Sequence, residues 1–401
     1  MATNKPIRRV RIFNQPYTLR NSVEWIESGE KYFERLEALI DSASVEIHIH
    51  TYIFASDETG KRIAEALIRA ANRRVLVFVL VDAYGSQSMS NVIIKSLRNA
   101  GIQFRKYGRF FSQGRFHIGR RMHHKITVID GTTSIVGGIN ISNNYNDLPD
   151  STAWLDFAVI MRGDISRRLQ FVCRKRWIGW NFKRISARKL LKIRESEKIL
   201  LQDTAIRVRR NDFVRNKHEI TYSYREAFRQ SKKSLLIVGG YFLPGGQTRR
   251  LMKAAIKRGV IINVIVPEKS DVGLLILARR YLYDWLKRIN VGVYEYKPSN
   301  VHGKVIIYDD SWTSIGSYDL NNLSAYSNIE LNVDIKNEKF SADLANHIRQ
   351  IIINDCTPVT SHIQNKNISL FSRMIMWLAY NIVKTFFVLS ILLSSKKEKE
   401  F

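Results

Sequence analysis

The chain has 401 residues, enough for two or more domains, and its 45% apolar content is that of a globular protein able to bury a core in each. Only two cysteines, Cys173 and Cys356, are present, which excludes a disulfide framework and suggests a reducing compartment; without cysteine pairs or clustered histidines there is no zinc spacing, and no metal is expected. A formal net charge of +28 calls for a polyanionic partner, nucleic acid or an anionic membrane surface, and does not choose between them.

Residues 1–27 read as a basic arm carrying Arg8, Arg9 and Arg11, with no apolar run to make a secretory signal or an N-terminal span. Residues 30–42 predict an amphipathic helix, 45–54 a strand, 60–71 a helix and 75–81 an apolar strand. That order predicts a βαβ unit and a largely parallel sheet. His48 and His50 alternate with Ile47 and Ile49 and read as structural. A short helix at 91–100 leads to a loop at 108–121, rich in Arg, Phe and Gly, which is either substrate-facing or a plain exposed connection. Residues 154–161 form a further strand carrying Asp156.

Residues 165–194 contain no acidic side chain, and Arg174, Lys175, Arg176, Lys183 and Arg184 are interleaved with Trp177, Trp180 and Phe182. Three readings stay open: a membrane-surface helix, a packed helical linker with a solvated basic face, and a nucleic-acid contact. The second part then repeats the first, with helices at 222–230, 249–258 and 274–287 and strands at 234–242, 260–266 and 291–296. Near the end, residues 374–393 are apolar except for Asn381, Lys384, Thr385 and Ser390. Twenty helical residues match the roughly 30 Å hydrocarbon layer. Against a simple span stand Lys384 in mid-segment, the alignment of Arg373, Asn381 and Lys384 on one helical stripe, and the flanking Lys396, Lys397 and Lys399. The expectation is a helix lying in the cytoplasmic membrane interface, with a single span and a buried core helix as alternatives.

The strongest signal is internal. His123-His124-Lys125 through Asp130, then Gly137-Gly138-Ile139-Asn140, is echoed by His302-Gly303-Lys304 through Asp309, then Gly316-Ser317-Tyr318-Asp319. Both read H-x-K-x4-D followed by G-[GS]-x-[ND], and corresponding members all lie 179 residues apart. A shared offset in every member indicates an internal duplication. Each motif runs into an apolar strand, and residues i and i+2 of a strand share a face. His123 with Lys125, and His302 with Lys304, therefore project together, whereas His124 points the other way and is a bystander. If the halves pack about a pseudo-twofold axis, two imidazoles and two ammonium groups meet in one pocket. Lysines suit the oxygens of a phosphodiester; histidines suit attack on phosphorus and protonation of the leaving alcohol.

These motifs resemble those of the phospholipase D superfamily, and the flanks resemble its cardiolipin synthase branch. The residues that carry the likeness are Tyr52-Ile53-Phe54, Asp57, Gly60, residues 81–86, Trp154-Leu155-Asp156, Gly316 to Leu320 and Asn328-Ile329-Glu330, within residues 28–335. The resemblance implies an α/β protein of two similar α-β-α sandwich halves with mixed, mostly parallel sheets, the active site at their pseudo-twofold interface, plus the C-terminal membrane-associated helix. The division is an arm at 1–27, halves at 28–195 and 196–345, and a tail at 346–401. It implies a phosphatidyltransferase making cardiolipin and glycerol from two phosphatidylglycerols through a phosphohistidine, the alternatives being phospholipid hydrolysis and, behind that, a nuclease. The catalytic set is His123, Lys125, Asp130, His302, Lys304 and Asp309, with His123 as nucleophile, His302 as acid and base, and both aspartates leaning towards structural support. Asn140, Asp156, Ser317, Asp319 and Glu330 are phosphate-binding or orienting, Asp156 and Glu330 by fixing imidazole tautomers. No cofactor is implied. The expected partners are anionic phospholipid and a membrane surface, not nucleic acid, and the oligomeric state is left open. One departure stands out: the family's second motif carries Asn at the position of Asp319 and Asp at that of Asn321. Either Asp319 turns to a lysine, or the acceptor pocket differs.

Overall fold

The computed structural model describes residues 16–108, 111–112, 115–116, 121–178, 204–212, 217–270, 272–321, 328–359 and 369–396. Arg8, Arg9 and Arg11, most of the Arg-, Phe- and Gly-rich loop, the basic stretch beyond Ile178 with Trp180 and Phe182, and Lys397 and Lys399 lie outside the described residues.

In the first half the elements run β1 (Asn21–Glu27), α1 (Glu30–Asp41), β2 (Glu46–Thr51), α2 (Glu58–Asn72), β3 (Leu76–Asp82), α3 (Asn91–Asn99), β4 (Gln103–Tyr107), β5 (Phe111–Ser112), β6 (Arg115–Phe116), β7 (Arg121–Met122), β8 (Ile126–Ile129), β9 (Thr133–Gly137), β10 (Phe157–Gly163) and α4 (Asp164–Ile178). In the second they run β11 (Ala205–Asp212), β12 (Lys217–His218), α5 (Glu219–Gln230), β13 (Ser234–Gly239), α6 (Gly246–Lys257), β14 (Ile261–Pro267), α7 (Gly273–Arg288), β15 (Gly292–Tyr296), β16 (Lys304–Tyr308), β17 (Trp312–Gly316), β18 (Asn328–Lys336), α8 (Glu338–Asp355), β19 (Cys356–Pro358) and α9 (Leu370–Lys396).

The first sheet has the order β1-β10-β9-β8-β2-β3-β4; the second runs β12-β11-β18-β17-β16-β13-β14-β15-β19. The expectation of mostly parallel sheets is corrected. Only β2–β3, β3–β4 and their counterparts β13–β14, β14–β15 are parallel within these orders, because only they are joined by crossover helices. The rest of each motif is antiparallel for a local reason. Asp130 and Gly131 between β8 and β9, and Asp309 and Asp310 between β16 and β17, all have left-handed backbone (φ 50–68°), so each chain reverses at once. Residues 21–27, assigned to the basic arm, are an edge strand of the first sheet, with Val23 and Trp25 packed on the core.

Asp130 and Asp309 do not face the histidines. Asp130 accepts backbone N–H bonds from Ser44, Val45 and Glu46 at 2.8–2.9 Å, and Asp309 accepts them from Lys232, Lys233 and Ser234 at 2.7–2.9 Å. Each carboxylate caps the start of the neighbouring strand, seven residues along the chain from the motif histidine. Their place in the catalytic set is corrected to that of strand supports.

Among the described residues three large apolar cores and a small fourth one result. One lies under α1–α3 and one under α5–α7, as expected of two halves. The third is shared: Val128, Phe157 and Val159 of the first half pack with Val305, Ile315 and Val333 of the second. Helix α4 buries Ile165, Leu169 and Cys173, and Trp177 packs with Leu80 and Met122, while Arg174 pairs with Glu46 at 2.6 Å. Over residues 165–178 the basic, Trp-bearing stretch is a helix packed on the core through one face. His48 bonds Glu46 and stacks on Phe78, and His50 lies 6.5 Å from His124, all three buried, so they are structural as read. Among the described residues no helix is long and apolar enough to cross a membrane.

Replacing Asp130 or Asp309 by Ala strips three backbone N–H groups of their acceptor, and each change is expected to lower unfolding stability by about 2–3 kcal/mol in urea titration. The folded fraction should keep its kcat. A loss of turnover in fully folded protein would return these aspartates to the catalytic set.

Candidate active site

The two central strands, β8 and β16, begin where the motifs do. His123 and His302 sit just before them, their rings 6.5 Å apart across the interface of the halves. The backbone tethers are reciprocal. His123 N–H donates to the carbonyl of Ile329 (2.9 Å), and His302 N–H donates to that of Leu155 (2.8 Å). The next residues are Glu330 and Asp156. Parallel pairing of β7 with β18, and the bridge between Leu155 and Val301, hold these junctions.

Each imidazole is consequently oriented by a carboxylate from the opposite half. His123 Nδ1 lies 3.0 Å from Glu330 Oε2 and 3.2 Å from the Ser317 carbonyl; His302 Nδ1 lies 2.7 Å from Asp156 Oδ2. Carboxylate and carbonyl oxygens only accept, so His123 carries a proton on Nδ1, and the neutral ring has its lone pair on Nε2. Burial raises the Glu330 carboxyl, but His123, Lys125 and the Ser317 hydroxyl outweigh it, and the group is held below the usual range. Burial pushes Asp156 up to about 7, against the pull of Lys304. Burial also drives His302 well below its ordinary value, and Lys304, Lys125 and His123 add to the effect.

Lys125 and Lys304 are buried beside the rings. Lys125 Nζ donates to the His123 carbonyl at 3.0 Å and lies 5.2 Å from the centroid of Tyr52. Lys304 Nζ donates to the His302 carbonyl, stands over Tyr241, and lies 3.6 Å from Asp319 Oδ2. Of the two expectations for Asp319, the turn towards a lysine is the one found. Burial lowers Lys125 to about 7, with Glu330 working the other way. An anion arriving between the ammonium groups replaces the solvent that both have lost.

The residues read as orienting divide by task. Ser317 Oγ donates to Glu330. At the matching position of the first motif, Gly138 leaves room for Asp156, whose carboxylate fills the space a Cβ would need. Asn140 Oδ1 accepts from Ile53 N–H at 3.1 Å and its Nδ2 donates to the Tyr145 hydroxyl at 2.8 Å, leaving one amide hydrogen for a ligand. Tyr145 was not singled out from the sequence, yet its ring lies edge-on to His302 at 5.2 Å; its spacing from Asn140 carries no motif. Tyr52, Trp154 and Tyr241 complete an aromatic wall around the imidazoles. Among the described residues no His, Cys, Asp and Glu cluster could hold a metal ion.

The family model described as "Cardiolipin synthase, PLD-like domain" matches residues 36–157 and 224–352. Cardiolipin synthase B of Salmonella typhi is 32% identical over 351 residues, covering 84% of this chain and 82% of that protein. The Escherichia coli (strain K12) cardiolipin synthase B is 32% identical over 342 residues with the same coverage. The fold matches the crystal structure of phosphatidylserine synthase from Haemophilus influenzae Rd KW20, with a TM-score of 0.73 at 14% identity, over 94% of this chain and 97% of that one. One family match falls in each half, and each contains one of the paired motifs: the chain belongs to the phospholipase D-like cardiolipin synthase family.

Proposed function

We propose that the protein is a phosphatidyltransferase that joins two phosphatidylglycerols into cardiolipin and releases glycerol. The observation that carries this reading is the facing pair of imidazoles, 6.5 Å apart, each held by a buried carboxylate and flanked by a buried lysine. In the first step the Nε2 lone pair of His123 attacks phosphorus. The P–O bond to glycerol breaks, and His302 gives its proton to the departing oxygen. In the second step His302 takes the proton from the hydroxyl of the next phosphatidylglycerol. That oxygen attacks phosphorus, and the P–N bond to His123 breaks. The ionised Glu330 supports His123 as the nucleophile by stabilising the charge its ring gains. The negative diester supports protonation of His302, reversing the depression felt in the empty site. Lys125, Lys304 and the free Asn140 amide hydrogen balance charge on the phosphorane. Burial of Lys304 and His302 supports transfer over hydrolysis by limiting water at the intermediate.

We infer that the enzyme works on a membrane surface through α9. This helix packs on the second half through Tyr380 and Val383, and Ala379 is buried. Its other side presents Phe371, Met374, Trp377, Leu378 and Ile382 to solvent, with Arg373 and Lys384 also exposed. A run of large apolar side chains beside cations suits the interface of an anionic leaflet. The cytoplasmic face of the cell membrane is the location that fits this reading.

His123→Ala should cut transfer from phosphatidylglycerol vesicles by about a thousandfold or more and abolish covalent trapping of a labelled phosphatidyl group. Trapping that survives there and vanishes in His302→Ala would reverse the roles, and phosphatidic acid as the main wild-type product would replace transfer by hydrolysis. Because the Lys125 ammonium is lost as pH rises through about 7 in the empty enzyme, kcat/KM should decline over that range. Lys125→Arg, whose charge persists, should remove that limb; an unchanged limb would assign it elsewhere. Trp377→Glu with Leu378→Glu should weaken sedimentation with phosphatidylglycerol vesicles while sparing turnover of a short-chain, detergent-dispersed substrate. Undiminished vesicle binding would place the docking surface elsewhere.

A further inference from the structure

The two halves supply nearly interchangeable parts, so a charged difference between them is informative. Asn140 and Asp319 occupy the same place in the paired motifs, 179 residues apart. They make the same structural bond: Asn140 Oδ1 accepts from Ile53 N–H at 3.1 Å, and Asp319 Oδ1 accepts from Tyr241 N–H at 3.3 Å. An amide therefore satisfies this position, and the fold does not require a carboxylate there. Yet Asp319 is 2% exposed, and burying an ion that an amide could replace is unfavourable. Its second oxygen is not engaged with an imidazole, as those of Asp156 and Glu330 are. It stands 3.6 Å from Lys304 Nζ, the ammonium a bound phosphate needs.

We propose that Asp319 makes the site select phosphate groups by charge, admitting singly charged diesters and turning away doubly charged monoesters. This rests on reading the site as a phosphodiester site. A phosphate oxygen bound to Lys304 comes close to Asp319 Oδ2, and the repulsion grows with each unit of charge on the ligand. A diester meets it once, offset by the two lysines. A monoester such as phosphatidic acid, or free phosphate, meets it about twice, in a site with little water to screen it. The opposite face of the pocket, with neutral Asn140, carries no such penalty. The selectivity is thus built on one side, and it keeps the hydrolysis product and the cell's phosphate from occupying the pocket between the two lysines.

The test uses full-length protein and two probes, sulfate as a dianion and dimethyl phosphate as a monoanionic diester. Apparent Kd values come from the ligand-induced shift in the thermal unfolding midpoint. Asp319→Asn, which installs the residue of the other half, should tighten sulfate by about tenfold more than dimethyl phosphate. Asn140→Asp should move the same ratio in the opposite direction, and it carries the test should Asp319→Asn fail to match the wild-type midpoint without ligand. A ratio unchanged in the folded variants overturns the proposal, since a purely structural role would shift both probes alike. The measurement needs no turnover. An altered ratio in a protein unable to make cardiolipin would sink the functional reading alone, and cardiolipin synthesis with an unaltered ratio would sink this inference alone.

Discussion

Everything in the site depends on a reciprocal contact: each imidazole leans on a carboxylate that belongs to the other half of the chain. His123 is held by Glu330, and His302 by Asp156. An unoriented imidazole has two tautomers and free rotation about its side chain, and only one arrangement leaves Nε2 aimed at phosphorus. In each half the carboxylate against the imidazole comes from the other half. The rest of the interface serves that exchange. The strand pairing of β7 with β18 and the two His N–H bonds set the backbone, and the shared apolar core keeps it from sliding.

Placing so many charged groups in one buried pocket has an electrostatic consequence. With no anion present, burial depresses Lys125 and His302 and raises Asp156 and Asp319. All four shifts favour the neutral forms, and a phosphodiester relieves those of the cations. The site is complementary to a charge it does not itself carry, the arrangement expected where binding and the phosphorane are stabilised by the same groups. Small asymmetries then assign different work to the two halves. Gly138 makes space for the short Asp156, Ser317 steadies the longer Glu330, and a carboxyl group at Asp319 stands where the first half has the Asn140 amide.

Two basic or apolar segments of similar appearance turned out to differ in context. Helix α4 directs Trp177 and Cys173 into the protein and spends Arg174 on Glu46. Among the described side chains of helix α9, Ala379 and Val383 are buried while Phe371, Met374, Trp377, Leu378 and Ile382 stand exposed. The distinction is which face finds a partner, and composition does not encode that. The same holds for Asp130 and Asp309, present in both motifs, whose carboxylates accept backbone N–H bonds at the far end of the strand.

The sequence by itself determined the duplication, the pairing of His with Lys on one strand face, and most helices and inner strands. These are local or periodic properties, written in spacing: a constant offset of 179, alternation along a strand, an apolar stripe along a helix. It also marked Asp156 and Glu330 through family likeness, without saying which histidine each would serve. Tertiary structure alone decided that the carboxylates cross between halves, that Tyr145 lies against His302, that residues 21–27 close the edge of a sheet, and that the sheets are mostly antiparallel. Those outcomes depend on contacts between residues more than a hundred positions apart or on the hand of a two-residue turn. No periodicity records a partner that the chain meets only after it has folded.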